Sequence, residues 1–132
     1  MITREADYAI RALLLLMDSE GENSIITTQT LSEEMDIPYR FLRKILKKLR
    51  DSDFIETKKG KTGGIKLKKK KNEISVLDVL HSVARNAVEL NSCLSRDNGC
   101  KRNEFCKLHK KLGILQTHIN SYLSDLTLNE LV

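Results

Sequence analysis

The chain has 132 residues, 40% of them hydrophobic, enough for one modest core, as one compact domain or a small domain with an oligomerisation arm. The apolar run Leu13 to Met17 is too short to cross a bilayer, and Glu5 and Asp7 just ahead of it contradict a secretory signal, so a soluble cytoplasmic protein with no membrane partner is expected. The formal charge of +5 is local: Tyr39 to Lys71 holds 14 basic and 3 acidic residues, whereas residues 72–132 are balanced at 7 against 7. A one-signed segment of that strength marks a surface that meets phosphates, since an ordinary solvated face is mixed in sign.

From Arg4 to Met17 the apolar residues Ala6, Ile10, Leu13, Leu14 and Met17 recur at helical steps, and Leu15 and Leu16 widen the stripe toward a second surface. Gly21, Glu22 and Asn23 break this helix, and Ser24 to Thr27 suits a short strand. Thr28 or Thr30 caps the next helix, Thr30 with Glu33 fitting a capping box, and Leu31 and Met35 face inward. After a tight connection at Asp36 and Ile37, Pro38 opens a helix to about Arg50. Its apolar residues Phe41, Leu42, Ile45, Leu46 and Leu49 lie on one side, leaving Tyr39, Arg40, Arg43, Lys44, Lys47 and Lys48 on the other. Two short helices joined by so short a turn, the second with a basic face, make a helix-turn-helix whose second helix enters the major groove.

Phe54 to Lys58 and Ile65 to Lys69 read as strands joined through Gly60-Lys61-Thr62-Gly63-Gly64, a hairpin ringed by Lys58, Lys59, Lys61 and Lys66. This is a wing. The loop is not a phosphate-binding P-loop, because no Gly-Lys-Ser/Thr run leads into a helix. The candidate DNA surface is Thr28, Pro38, Tyr39, Arg40, Arg43, Lys44, Lys47, Lys59, Gly60, Lys61, Gly63 and Gly64. Lys68 to Lys71 either tracks the DNA backbone or keeps an edge strand from pairing elsewhere.

Val76 to about Arg85 is another amphipathic helix. All three cysteines follow as Cys93-x6-Cys100-x5-Cys106-x2-His109. Their flanks are polar, their number is odd, and the expected compartment is reducing, which argues against both core cysteines and disulfides. Three thiols and an imidazole suit zinc or an iron–sulfur cluster, and spacing alone leaves that choice open. From Glu104 to Leu126, Leu108, Leu112, Leu115, Ile119, Tyr122 and Leu126 form a heptad-type seam fit for a homodimer. His81 and His118 have no neighbouring ligand types and are read as structural or surface residues. No nucleophile, base and acid set stands at a recognisable motif, so a non-enzyme is expected.

The opening Asp7-Tyr8-Ala9-Ile10-Arg11, the wing Gly60 to Leu67, the clustered cysteines and the closing Leu126-Thr127-Leu128 with Leu131-Val132 together resemble the Rrf2 family of bacterial winged-helix regulators. The resemblance spans nearly the whole chain. It implies a mainly α fold, a winged helix-turn-helix with a small β-hairpin wing and a long C-terminal dimerisation helix, divided into a DNA-binding part (1–71) and a cluster-loop and dimerisation part (72–132). It implies a homodimer on a double-stranded DNA operator, with an iron–sulfur cluster (2Fe-2S or 4Fe-4S) on Cys93, Cys100 and Cys106. The fourth ligand is His109, as in IscR-like members, or Asp7 of the other subunit, as in NsrR-like members. Departures from the family pattern are the six-residue first cysteine gap where five is common, Lys59 where arginine is frequent and Asp53 where glycine is usual. The expected function is transcription regulation under control of the cluster. A zinc-binding winged-helix regulator and a cluster-carrying electron-transfer protein without specific DNA binding are the rival readings; the second leaves the basic segment without a purpose.

Overall fold

The computed structural model describes residues 2–19, 24–95 and 100–132. Helix α1 (Arg4–Asp18) starts where the Thr3 hydroxyl accepts the Ala6 N–H at 3.3 Å. Its buried side is Ala6, Ala9, Ala12, Leu13, Leu16 and Met17, while Ile10 and Leu14, expected inside, are only partly buried. Three alanines at the contact let α1 approach the helices that pack on it, a closeness that a count of large apolar residues does not reveal. The expected break at Gly21, Glu22 and Asn23 lies outside the described residues.

Helix α2 (Thr28–Glu34) is capped by Thr27, whose hydroxyl accepts the Thr30 N–H at 3.1 Å; Thr30 is therefore inside the helix rather than its cap. The turn after it is closed by Ile37 N–H to the Ser32 carbonyl at 3.0 Å and by the Ser32 hydroxyl to the Ile37 carbonyl at 2.7 Å. Asp36 bends the chain there with φ +50°, a left-handed value that short polar side chains tolerate. Pro38 is the residue before α3 (Tyr39–Asp51), where its missing N–H removes no helical bond. Leu42, Ile45, Leu46 and Leu49 are buried as expected. Phe41 is not: it stays 45% exposed with its ring edge-on to Tyr8, centroids 6.3 Å apart.

Asp53, with φ +67°, turns the chain out of α3, so the backbone here takes the left-handed conformation that glycine adopts most easily. Strands β1 (Ile55–Lys58) and β2 (Gly64–Leu67) pair antiparallel, Thr57 opposite Ile65. They are shorter at their outer ends than expected. The predicted strand at Ser24 to Thr27 reduces to one bridge, Ile26 with Ile65, made by bonds of 2.9 and 2.7 Å. It docks the segment before α2 on the wing.

Helix α4 (Val76–Val83) packs on α1 and α3 through Val76, Val79, Leu80 and Val83, and ends two residues before Arg85. Helix α5 (Lys107–Asp125) has no fully buried residue. After it the chain returns: the Val76 N–H bonds the Leu126 carbonyl, the Leu128 N–H bonds the Ile74 carbonyl, both at 2.9 Å, and Leu128 is wholly buried. One cluster of buried side chains thus runs from Ala6 to Leu128. No helix among the described residues is long and apolar enough to cross a membrane.

Candidate DNA interface and cysteine loop

Where α3 passes the wing, a groove of about 610 Å³ opens, lined by Thr28, Arg40, Arg43, Lys44, Lys47, Arg50, Thr57 and Ile65 among others. Five candidates drawn from the sequence therefore share one concave, strongly basic surface. Arg50 and Thr57 belong to it and were missed. Arg50 was detectable, because it lies seven residues after Arg43 and three after Lys47 on one helical face. Thr57 depends on the register of β1 against β2, which no local pattern supplies. Pro38 and the 44%-exposed Tyr39 stand at the N-terminal end of α3.

The wing tip presents Lys58, Lys59, Gly60 and Lys61 to solvent. Gly60 has φ +109°, which an L side chain resists. Gly63 and Gly64 are required for another reason: a Cβ on Gly63 would sit 2.2 Å from the Lys58 carbonyl oxygen, and one on Gly64 would sit 2.6 Å from that of Ile26. Lys66, expected to add free charge at the tip, instead pairs with Glu56 at 2.7 Å across the two strands. Lys68 bonds Asp53 at 2.6 Å, which raises the pKa of its ammonium, and Lys69 lies over the Phe54 ring at 4.8 Å. The lysine run thus begins with residues that brace the base of the wing. Lys48, placed by periodicity with the free cations, faces away from the groove and donates to Glu5 and to the Val83 carbonyl.

The cysteine loop leaves α4 through a buried segment at Ala87 and Val88. Gln116 of α5 holds that segment, donating to the Val88 carbonyl at 3.0 Å and accepting the Leu90 N–H at 2.8 Å. Cys93 lies in the 3-10 turn Ser92–Leu94, which packs against α5. Cys100 begins the approach to α5, its carbonyl accepting the Asn103 N–H at 3.1 Å. Cys106 is the residue before α5, and its Sγ accepts the His109 N–H at 3.3 Å. All three thiols are half-buried and free. Residues 96–99 of the loop lie outside the described residues.

The donor types suit the soft-metal expectation: three unbridged thiols and an imidazole whose Nδ1 is buried with no hydrogen-bond partner among the described residues. Convergence is a separate matter. Among the described residues no three of His, Cys, Asp and Glu form a group able to hold a metal ion. Asp7 is exposed on α1 and pairs with Arg11 at 3.2 Å within its own helix.

Residues 2–132 match the family model described as "Rrf2: Iron-dependent Transcriptional regulator". The chain is 32% identical to the HTH-type transcriptional regulator NsrR of Shouchella clausii, over 98% of this chain and 89% of that protein. It is 30% identical to the HTH-type transcriptional regulator IscR of Pectobacterium carotovorum, over 99% and 78%. Among solved structures it resembles CymR, the global cysteine regulator of B. subtilis, with TM-score 0.75 and 16% identity over 99% of this chain and 95% of that one. T. potens IscR gives TM-score 0.76 at 18% identity, covering 99% and 85%. At such identity the structural likeness speaks for the fold alone.

Proposed function

The chain belongs to the Rrf2 family of helix-turn-helix transcriptional regulators, and from that premise we propose that it binds an operator as a homodimer under the control of an iron–sulfur cluster held by its cysteine loop. The observation that carries this reading is the pairing, in one chain, of a basic groove on α3 with three free, half-buried thiols and a buried, unpartnered His109 Nδ1 at the start of α5. Residues 1–71 read DNA; residues 72–132 sense and dimerise.

Arg40, Arg43 and Lys44 reach base edges or phosphates, Arg being the better reader of guanine because its fork is bidentate. Lys47, Arg50 and the wing lysines hold the backbone. Two copies place their α3 helices in successive major grooves, about 34 Å apart on the operator. The dimer face is α5, where Leu108, Ile114, Leu115 and Tyr122 are exposed, beside an apolar hollow of about 410 Å³ that includes Leu90 and Ile119. Cys93, Cys100 and Cys106, with His109 or with Asp7 of the partner subunit, would hold the cluster. Bound there, it supplies a centre sensitive to oxidation, nitric oxide and iron supply. Cys106 and His109 belong to the beginning of α5, so the order of the loop bears directly on the helix that sets the spacing of the two α3 helices.

Anaerobic purification followed by visible absorption and iron and sulfide analysis tests the cofactor. A coloured protein with iron and acid-labile sulfide in equal amounts supports the cluster; a colourless one with stoichiometric zinc replaces it with a zinc site on the same loop. Loss of the cluster in His109→Ala and not in Asp7→Ala assigns the fourth ligand to the imidazole, and the reverse assigns it to the carboxylate. Gel shifts with genomic fragments that yield only salt-sensitive, non-specific binding would refute the operator and leave the electron-transfer reading.

A further inference from the structure

We propose that Lys48 is a positioning residue that links the cysteine loop to the recognition helix; the inference rests on reading α3 as the DNA-reading helix and the loop as its control. Arg40, Arg43, Lys44 and Lys47 line the groove. Lys48 turns to the opposite flank, where its Nζ donates to the Val83 carbonyl at 2.6 Å and to the Glu5 carboxylate at 2.7 Å. One ammonium thereby joins α3 to two other helices.

Val83 is the last residue of α4, and a carbonyl in that position has no partner within its own helix. A cation there satisfies the carbonyl and meets the negative end of the helix dipole. As a salt bridge the contact with Glu5 contributes little, because the two side chains are 40% and 28% exposed. What distinguishes the site is where the carbonyl leads. The chain runs from Val83 through buried Ala87 and Val88 to Cys93, and Gln116 of α5 grips that stretch at Val88 and Leu90.

A physical route therefore connects α5 to α3: Gln116, the stretch 84–90, the Val83 carbonyl and Lys48. A shift of about 1 Å at Val83 would stretch its 2.6 Å bond beyond hydrogen-bonding range. Lys48 must then release the carbonyl or draw α3 with it. The second response alters the angle at which Arg40 and Arg43 meet DNA, and the first removes the tether that fixes it.

The test compares wild type, Lys48→Met and Lys48→Arg, each prepared anaerobically with and without the cluster, on an operator selected from genomic fragments. In wild type the two forms should differ in operator affinity by the roughly 5- to 150-fold typical of linked sites. Lys48→Met, which keeps the aliphatic stem and removes both bonds, should bring that ratio to about twofold or less with cluster uptake unchanged, and Lys48→Arg should restore it. A Lys48→Met protein that binds DNA more weakly in both forms but keeps the wild-type ratio overturns the inference, because a merely structural lysine would behave that way. A wild-type ratio of one refutes cluster control instead, and that result is independent of Lys48. Amide exchange on the cluster-free protein keeps the link testable even then. Lys48→Met should speed exchange both in α3 and in residues 84–90, and a change confined to α3 overturns the inference.

Discussion

Gly64→Ala should detach the wing from the segment ahead of α2. The added methyl would lie 2.6 Å from the Ile26 carbonyl oxygen, 2.7 Å from the Ile25 Cγ2 and 2.9 Å from the Ile26 carbonyl carbon, so two of the three neighbours are backbone. Ordinary contact begins at 3.4 Å, and the strand has to retreat by about 0.8 Å to reach it. The Ile26–Ile65 bridge rests on bonds of 2.9 and 2.7 Å, and a retreat of that size takes the longer beyond the limit of hydrogen bonding and the shorter to it. Two backbone bonds at about 0.5–1.5 kcal/mol each give a loss of about 1–3 kcal/mol. For a domain of this size that lowers Tm by roughly 4–10 °C. Ile65 also lines the groove, so specific operator binding should weaken while non-specific binding changes little. Thermal melts and gel shifts at fixed salt measure the two effects. A variant that melts within about 1 °C of wild type with unchanged operator affinity would refute the packing argument for Gly64.

Arg43→Ala should cost specific binding about 1–3 kcal/mol and spare non-specific binding, whereas Lys47→Ala should weaken both and flatten the salt dependence by about one unit of slope; equal losses for Arg43 on both kinds of DNA would assign it to phosphate. Gly113→Ala should stabilise the protein by about 1 kcal/mol in urea unfolding, because Gly113 lies inside α5 and a Cβ there meets nothing within 4 Å of the same chain; destabilisation would place Gly113 against the partner helix. Glu130 accepts from both the backbone N–H and the hydroxyl of Thr127 at 3.0 Å, which lowers its pKa from the usual 4.5. Its contribution is therefore complete above the unfolded value and lost as pH falls through the depressed one, and Glu130→Gln should flatten acid-side stability profiles over that window. The Lys68 ammonium has the opposite sign: held by Asp53, its pKa is raised above 10.5, so its contribution persists below that value and disappears as pH climbs through the folded one.

The wing was legible because a glycine-rich turn between two β-prone runs has few other uses, and the cysteines because soft donors in a polar loop are rarely packing residues. The errors on α3 share one cause. Phe41 and Lys48 are seven residues apart and so lie on the same flank, at the boundary between the buried and exposed faces. Periodicity sorted them by polarity, Phe41 inward and Lys48 outward. In the fold both turn toward α1, Phe41 to Tyr8 and Lys48 to Glu5, because a neighbouring helix decides what a boundary position touches. Ala9 and Ala12, which continue the buried face of α1 from Ala6, escaped for a related reason, since close helix packing favours small side chains that an apolar stripe undervalues.

Helix α5 joins the two halves of the argument. A 19-residue helix without one fully buried residue draws only part of its stability from its own domain, through Ile119 and Leu123 packed on the core, and intrinsic propensity supports an isolated helix of that length only marginally. The chain holds it at the ends and at Gln116: Cys106 before its first residue, and the Ser75–Thr127 bridge after its last. In the proposed homodimer its exposed leucines and Tyr122 would gain further stabilisation from the partner copy. A loop placed at the start of such a helix need not store much energy to have an effect. Changing how Cys106 and His109 are held alters the first turn of the helix proposed to set dimer geometry, and the same helix is joined to α3 by way of Gln116, Val83 and Lys48. Under the proposed function, sensing and DNA reading meet in one weakly buried helix, where modest free-energy changes suffice to shift a population.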